Sequence, residues 1–262
     1  MDSVNKTLYI PLYGKAFVSR RGLFFRDEMA ETIWDQQGFP LKGKAKSKWL
    51  AYNMAMRAVV FDRWLQEKME EVPEAVILHI GCGLDSRISR VGNRDRLWYD
   101  IDFPEVIAER KAYFPETEGY RMVGADIRRK DWLEGIPEAV PAIVVMEGVS
   151  MYLTMEELLA FAQSLQGHFS GVTMLMDTYT VFAAKATRYK NPINQVGVTE
   201  VHGFDDPSEL TKGNRFRFLQ EHDLTPESLI GQLPKQEQGF FRTMFAGKLA
   251  KKIYRLYSYE TR

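Results

Sequence analysis

Apolar and polar positions change period along the chain, and the changes divide it. Over residues 1–72 apolar side chains fall at helical spacing. They do so over 24–34 and more clearly over 49–69, where Trp49, Tyr52, Met56, Val59, Val60, Trp64 and Leu65 recur. Gly38-Phe39-Pro40-Leu41-Lys42-Gly43 breaks the two helices apart. From Pro73 to about Tyr179 short apolar runs alternate with helical stretches. The runs predict strands at Val76–Ile80, 97–101, 120–123, 142–146 and 172–176, with helices over 104–113 and 154–167. Pro104 suits a first helical turn, and Thr154 with Glu157 has capping-box spacing. Continuous apolar strands separated by helices predict a doubly wound α/β fold, its mostly parallel sheet covered on both faces. Residues 180–218 lose this period and carry turn chemistry at Asn191-Pro192, Gly197, Gly203 and Asp205-Asp206-Pro207-Ser208, so they read as an insertion or lid. Thr225-Pro226-Glu227 starts another helix, and 252–259 alternates with strand period, fit to close the sheet. The division is therefore 1–72, helical, and 73–262, an α/β core with a lid over about 180–218.

Composition narrows the class. At 262 residues and 45% hydrophobic, the chain can bury a sizeable core as one large domain or a domain with a cap. Its 35 basic and 35 acidic side chains leave no basic excess, so no nucleic-acid partner is expected. The single cysteine, Cys82, excludes an intramolecular disulfide and a Cys-rich metal site, and no metal is expected. No apolar run approaches the roughly 18 residues of a membrane span, and Met1-Asp2-Ser3-Val4-Asn5-Lys6 does not read as a secretion signal. A cytoplasmic protein is expected. The basic run over 42–48 reads as a solvated loop and helix start before it reads as an anion site.

Candidate chemistry begins where the first strand ends. Val76–Ile80 runs into Gly81-Cys82-Gly83, then Leu84-Asp85-Ser86-Arg87. The glycines remove side chains where the chain turns and where a ligand must approach backbone. A dinucleotide fingerprint has a third glycine three positions on, and here that position is Ser86. A tight turn without a ligand fits the same residues. Asp100 and Asp102 lie 19 and 21 residues after Gly81. An acid about 20 residues past the glycines suits a ribose, and alternation along a strand turns both the same way; simple strand-end acids are the other reading. Asp126, just past the third strand, can accept from an adenine amine or merely cap a helix. Glu147 directly follows the fourth strand, at the crevice where open α/β sheets bind ligands. Its burial calls for a cation, which a ligand ammonium would supply. Arg57, in the second N-terminal helix, is either a surface arginine or a planar fork for a ligand carboxylate. Adenine, ribose, ammonium and carboxylate together describe S-adenosylmethionine better than NAD, whose pyrophosphate favours the full fingerprint.

Ile80-Gly81-Cys82-Gly83-Leu84-Asp85-Ser86-Arg87 with Trp98-Tyr99-Asp100-Ile101-Asp102-Phe103-Pro104-Glu105-Val106-Ile107 resembles the leucine carboxyl methyltransferase family, which includes the tetracenomycin-type polyketide O-methyltransferases. Ala125-Asp126-Ile127 and Glu147-Gly148-Val149-Ser150-Met151-Tyr152-Leu153-Thr154 match its later motifs, and Pro11-Leu12-Tyr13-Gly14-Lys15-Ala16 with Ala55-Met56-Arg57 its amino-terminal cap. The resemblance implies a seven-stranded Rossmann-like methyltransferase fold with that helical cap and an S-adenosylmethionine cofactor. It also implies roles. Arg57 would bind the methionine carboxylate, Gly81, beside Gly83, would lie against the methionine, and Asp102 would hold the ribose hydroxyls with Asp100 as a neighbour. Asp126 and Ile127 would flank the adenine, Glu147 would meet the amino end, and Lys15 would be a further contact. The lid matches loosely, so the acceptor does not carry over.

Methyl transfer to oxygen needs in-line approach and exclusion of water. A carboxylate acceptor is already ionised at neutral pH, whereas a hydroxyl benefits from a base. Candidate bases are His202, Asp177 and His222, although each also has an ordinary structural reading, and Tyr152 and Tyr179, after the fourth and fifth strands, join His202 as candidate catalytic residues lining the acceptor pocket. Phe182, Arg188 and Tyr189 are candidates for the far wall of an acceptor pocket. The expected partner is a small-molecule acceptor, polyketide-like or another metabolite, taking the methyl on a carboxylate or hydroxyl. The alternatives are an NAD-binding oxidoreductase, a non-catalytic S-adenosyl-ligand-binding protein, and methylation of a protein C-terminus.

Overall fold

Five apolar runs in the middle of the chain make the parallel part of one sheet. The computed structural model describes residues 5–187 and 201–261. Its strands are β1 (Val76–Ile80), β2 (Trp98–Asp102), β3 (Tyr120–Gly124), β4 (Pro141–Met146), β5 (Gly171–Tyr179), β6 (Phe216–Glu221) and β7 (Tyr254–Thr261). They form one seven-stranded sheet in the order β3-β2-β1-β4-β5-β7-β6. β1 to β5 pair in parallel, while β7 runs antiparallel to both β5 and β6. The predicted strands β1 to β5 and the closing strand β7 are all present. β6 is the strand the hydrophobic pattern did not show, and its first residues fell in the expected lid. It lies at a sheet edge and carries Arg217, Gln220 and Glu221, so one pairing partner suffices and no apolar run is needed.

The helices are α1 (Tyr9–Ser19), α2 (Glu28–Gln36), α3 (Lys48–Glu71), α4 (Arg87–Val91), α5 (Pro104–Arg110), α6 (Met155–His168), α7 (Val181–Ala186), α8 (Glu227–Ile230), α9 (Lys235–Phe245) and α10 (Gly247–Lys251). Phe24 and Phe25, expected to open a helix, instead precede Asp27, whose side chain accepts from the Ala30 N–H and starts α2 one turn later. The Thr154–Glu157 capping box forms as expected. Strand alternation separates two cores. Leu78 and Ile80 face Leu158, Phe161 and Leu165 of α6. Ile77, Ile143, Val145 and Leu175 face Phe61, Trp64, Leu65 and Met69 of α3. The other half of α3 packs Tyr52, Met56 and Val59 against Leu229, Ile230 and Phe241 of α8 and α9. α3 thus bridges the sheet and the C-terminal helices, over the edge where the parallel strands end.

Among the described residues no helix is long and apolar enough to cross a membrane.

Candidate active site

The parallel strands end along one edge, and a cavity of about 640 Å³ opens there. Gly81, Gly83, Asp102, Asp126, Ile127, Glu147, Arg57 and Lys15 line it, as do Tyr152 and Tyr179. Gly81 and Gly83 have φ of 63° and 50°, in the left-handed region that favours glycine. A Cβ at Gly81 would also lie 2.1 Å from Val149 Cγ2. Gly81→Ala is therefore expected to lower stability by at least about 1–2 kcal/mol from the backbone alone, read as a fall in Tm. Adding Val149→Ala should recover part of the loss, and a Tm unchanged in the single variant would contradict this geometry.

The Gly83 N–H donates to Asp102 Oδ2 at 2.8 Å, and the Phe103 N–H to Oδ1 at 2.7 Å. A carboxylate accepts about four hydrogen bonds, so Asp102 retains capacity for two more. Burial pushes its pKa up to about 6, outweighing the pull of the two N–H groups.

Asp100 requires a correction. It faces the same way as Asp102 but sits two residues deeper in the strand, about 6.6 Å away. It does not line the cavity and is fully buried. Its carboxylate is held by Trp98 Nε1 at 2.8 Å, His79 Nδ1 at 2.9 Å, Tyr120 Oη at 2.6 Å and the Arg110 guanidinium. Burial opposes its ionisation, but Arg110 and His79 hold its pKa well below the usual carboxylate range. Asp100 is a structural anion beneath the site. His79 in turn meets Arg87 Nη1 at 3.0 Å through Nε2. An arginine donates only, so Nε2 accepts and Nδ1 carries the proton toward Asp100. Burial lowers the His79 pKa and favours this neutral form.

Glu147 and Arg57 meet, but not as isolated ends waiting for a ligand. Arg57 Nε donates to Glu147 Oε1 at 2.9 Å, and its Nη1 to Asp177 Oδ2 at 2.9 Å and to Tyr254 Oη at 2.8 Å. Arg87 holds the other Glu147 oxygen. Burial pushes the Glu147 carboxyl up, yet Arg57 and Arg87 hold it down to about 2. The cation that the sequence reading sought from a ligand is thus already supplied by two guanidiniums. Arg57 is buried, not a surface residue, and most of its fork points inward. Its Nη2 lies 3.4 Å from a Cβ placed at Gly148 and makes no hydrogen bond among the described residues.

A second layer continues the network. Arg87 Nε bonds Asp62 at 2.8 Å, Arg90 joins Asp62, Asp27 and Asp85, and Lys15 Nζ lies 3.0 Å from Asp85. Ser86, at the position of the absent third glycine, is buried with its hydroxyl 2.6 Å from Asp27. Its hydroxyl is committed to packing rather than to a pyrophosphate. Asp126 accepts from the Arg128 N–H at 3.0 Å and from its guanidinium at 2.7 Å, so the local turn forms and the carboxylate still borders the cavity.

Of the candidate bases, His202 is a correction. Its backbone N–H is tied to Met151 O at 2.7 Å, and the residue does not line the cavity. Turn chemistry around Gly203 carries it along the side of β5, where Tyr179 bridges Gly203. His222 bonds Ser258 Oγ at 2.9 Å on the β6–β7 side of the sheet, and Asp177 is buried under Arg57, Tyr254 and the Gly148 N–H. Tyr152 and Tyr179 do border the cavity, Phe182 with them. Arg188 and Tyr189 lie outside the described residues.

Sequence reasoning missed the contributions of Asn53, Met54, Tyr254 and the C-terminal Met244, Phe245 and Ile253, all of which line the cavity. The period-2 tail that announced β7 was the available signal for Tyr254. The same run holds Ile253, just before β7, whereas nothing local marks Asn53, Met54, Met244 and Phe245, which arrive through the packing of α3 and α9. Arg87 stood in the quoted motif but had been given no role.

The leucine carboxyl methyltransferase family model matches residues 3–165. The chain belongs to that family. It is 33% identical over 158 residues to the tetracenomycin polyketide synthesis O-methyltransferase TcmP of Streptomyces glaucescens, covering 60% of this chain and 58% of that one. It is 31% identical over 182 residues to the S-adenosyl-L-methionine-dependent methyltransferase dpfgK of Gibberella zeae, covering 64% and 61%. The chain thus matches about six tenths of each relative's length. The magnesium protoporphyrin IX methyltransferase ChlM of Synechocystis PCC 6803, solved with bound SAH, superposes with a TM-score of 0.53 at 10% identity, over 90% of this chain and 93% of that one. That likeness is one of fold. The leucine carboxyl methyltransferase match takes in every cavity residue from Lys15 to Tyr152 and stops short of Tyr179 and Tyr254.

Proposed function

We propose that this chain is an S-adenosylmethionine-dependent O-methyltransferase acting on a small molecule. The observation that carries the reading is Asp102: an acid at the tip of β2, facing the cavity, with two acceptor positions unused in a family of methyltransferases. The bound cofactor would supply a methyl group already activated by a sulfonium. The residues present fit it. Asp102 would take both ribose hydroxyls, and Asp126 and Ile127 would flank the adenine. Glu147, held ionised, would accept from the amino end with its spare lone pairs. Arg57 would offer Nη2 to the carboxylate, with Lys15 beside it. Gly81 and Gly83 would let the backbone lie close to the ligand. The helices of 1–72 would act as the cap, with Phe182 and Ala183 of α7 as the part of the expected lid that borders the cavity, keeping water from the transfer. The closed Ser86–Asp27 packing counts against NAD. A cytoplasmic location belongs to the same proposal, supported by the buried lone thiol and balanced charge.

Calorimetric titration with S-adenosylmethionine and with S-adenosylhomocysteine is the test. Both should bind at one site per chain, and no heat with either at millimolar concentration would reject the assignment.

A further inference from the structure

Resting on that cofactor reading, we propose that Tyr254 is a positioning residue: anchored on Asp177, it acts through Arg57 and aims that guanidinium at the cofactor's carboxylate before the cofactor arrives. Three atoms from three elements close a ring. Arg57 Nη1 from α3 donates to Asp177 Oδ2 of β5 at 2.9 Å and to Tyr254 Oη of β7 at 2.8 Å. The Tyr254 hydroxyl donates to the same Asp177 oxygen at 2.9 Å. Sheet register brings the tyrosine to the acid. β5 and β7 are antiparallel, with Asp177 opposite Leu256 and Tyr179 opposite Tyr254. Tyr254 thus sits two residues from the direct partner of Asp177, on the same face, as its diagonal neighbour. Asp177 is itself held. The Gly148 N–H donates to its Oδ1 at 2.7 Å, and the Ser150 hydroxyl donates to its carbonyl.

What the ring does follows from the shape of a guanidinium. The group is planar, and its five N–H directions are fixed relative to one another. With Nε bound to Glu147 and Nη1 bound to the ring, the plane is set, and with it the direction of Nη2 beside Gly148. Glu147 by itself gives the guanidinium one contact on which to pivot, and Glu147 is the carboxylate that the cofactor's amino end would engage. The Asp177–Tyr254 contacts are independent of that engagement. Arg57 and Asp177 are both buried, where charge-assisted hydrogen bonds are strong. A long side chain already ordered in the free protein loses less freedom when a ligand binds. Tyr254 is braced in turn by Tyr179, whose ring meets it edge-on with centroids 5.0 Å apart. The family match ends at residue 165, so Asp177 and Tyr254 both lie beyond it.

The test compares S-adenosylmethionine with decarboxylated S-adenosylmethionine, which keeps the adenine, ribose, sulfonium and ammonium and lacks the carboxylate. Both are titrated at pH 7.5 into the full chain, the weaker one by displacement of S-adenosylhomocysteine. The unaltered chain should prefer the carboxylate-bearing ligand by at least about tenfold. Tyr254→Phe keeps the ring and changes no charge. It should cut that preference by about 3- to 10-fold through weaker S-adenosylmethionine binding, with the decarboxylated ligand's affinity and the Tm close to those of the unaltered chain. A tyrosine that merely supported the fold would weaken both ligands together. Because Tyr254 acts through Arg57, the same change in an Arg57→Lys background should move the preference by less than about twofold. No preference in the unaltered chain, a preference unchanged in Tyr254→Phe, or an equal effect of Tyr254→Phe in the Arg57→Lys background would overturn the proposal. Failure of the cofactor reading shows separately, as an unaltered chain that binds neither ligand, and the proposal then falls with it.

Discussion

Arg87→Met should cost about 3–5 kcal/mol of stability, the range for removing one partner of a buried ion pair. Arg87 is fully buried, and it touches three acids: Asp62 at 2.8 Å, Asp85 at 3.4 Å, and Glu147. It also supports the neutral form of His79 at 3.0 Å and lies over the Phe61 ring. Methionine fills much of the volume but returns none of the donors. Arg90 still serves Asp62 and Asp85, and Arg57 still serves Glu147, so the loss falls on the Glu147 oxygen and the His79 nitrogen. Urea denaturation measures it as a lower midpoint at unchanged slope. A shift worth less than about 1 kcal/mol, the scale of an exposed pair, would show that Arg87 does not act as a buried ion-pair partner of Glu147. Pairing Arg87→Met with Glu147→Gln in a double-mutant cycle should reveal coupling, because the two groups share one contact.

The largest effect on ligand binding is expected at Asp102. Asp102→Asn keeps the volume and one acceptor but removes the charge. It should weaken S-adenosylmethionine by about 1–3 kcal/mol, or about 5- to 150-fold, with a Tm close to that of the parent. pH separates this from a general loss of structure. The folded pKa of about 6 lies above the ordinary aspartate value because burial disfavours the ionised form. The free protein therefore takes up a proton that the unfolded chain does not, and its stability falls as pH rises from about 4 to 6. The form that would hold a ribose is the ionised one, so cofactor affinity is expected to move oppositely. It should rise with pH and level off above 6, losing about tenfold for each unit below. The Asn variant should be flat over that window. A wild-type affinity independent of pH between 5 and 7 would remove Asp102 from the ribose.

Much of this was legible one residue at a time. Val76–Ile80 is buried at every position, and apolar at all but His79, because both faces of a central parallel strand are covered, and that pattern survives into the fold without change. Gly81 and Gly83 could be read as a turn because only glycine adopts their backbone without strain, a property of the residue itself. The acid at the tip of β2 and the carboxylate after β4 followed from where strands end.

Depth and partnership were not legible. Asp100 and Asp102 look equivalent in a strand of alternating residues, and only the packing of Arg110, Tyr120 and His79 around the deeper one makes it structural. Glu147 meets Arg57 and Arg87 from 90 and 60 residues away, and Tyr254 reaches Arg57 from 197. Local patterning records which residues are apolar and how the chain turns, because those depend on neighbours in sequence. Which charges neutralise one another, and which polar groups are left open in the cavity wall, depends on how α3, the strand tips and the C-terminal helices come together. Only the tertiary structure decides that.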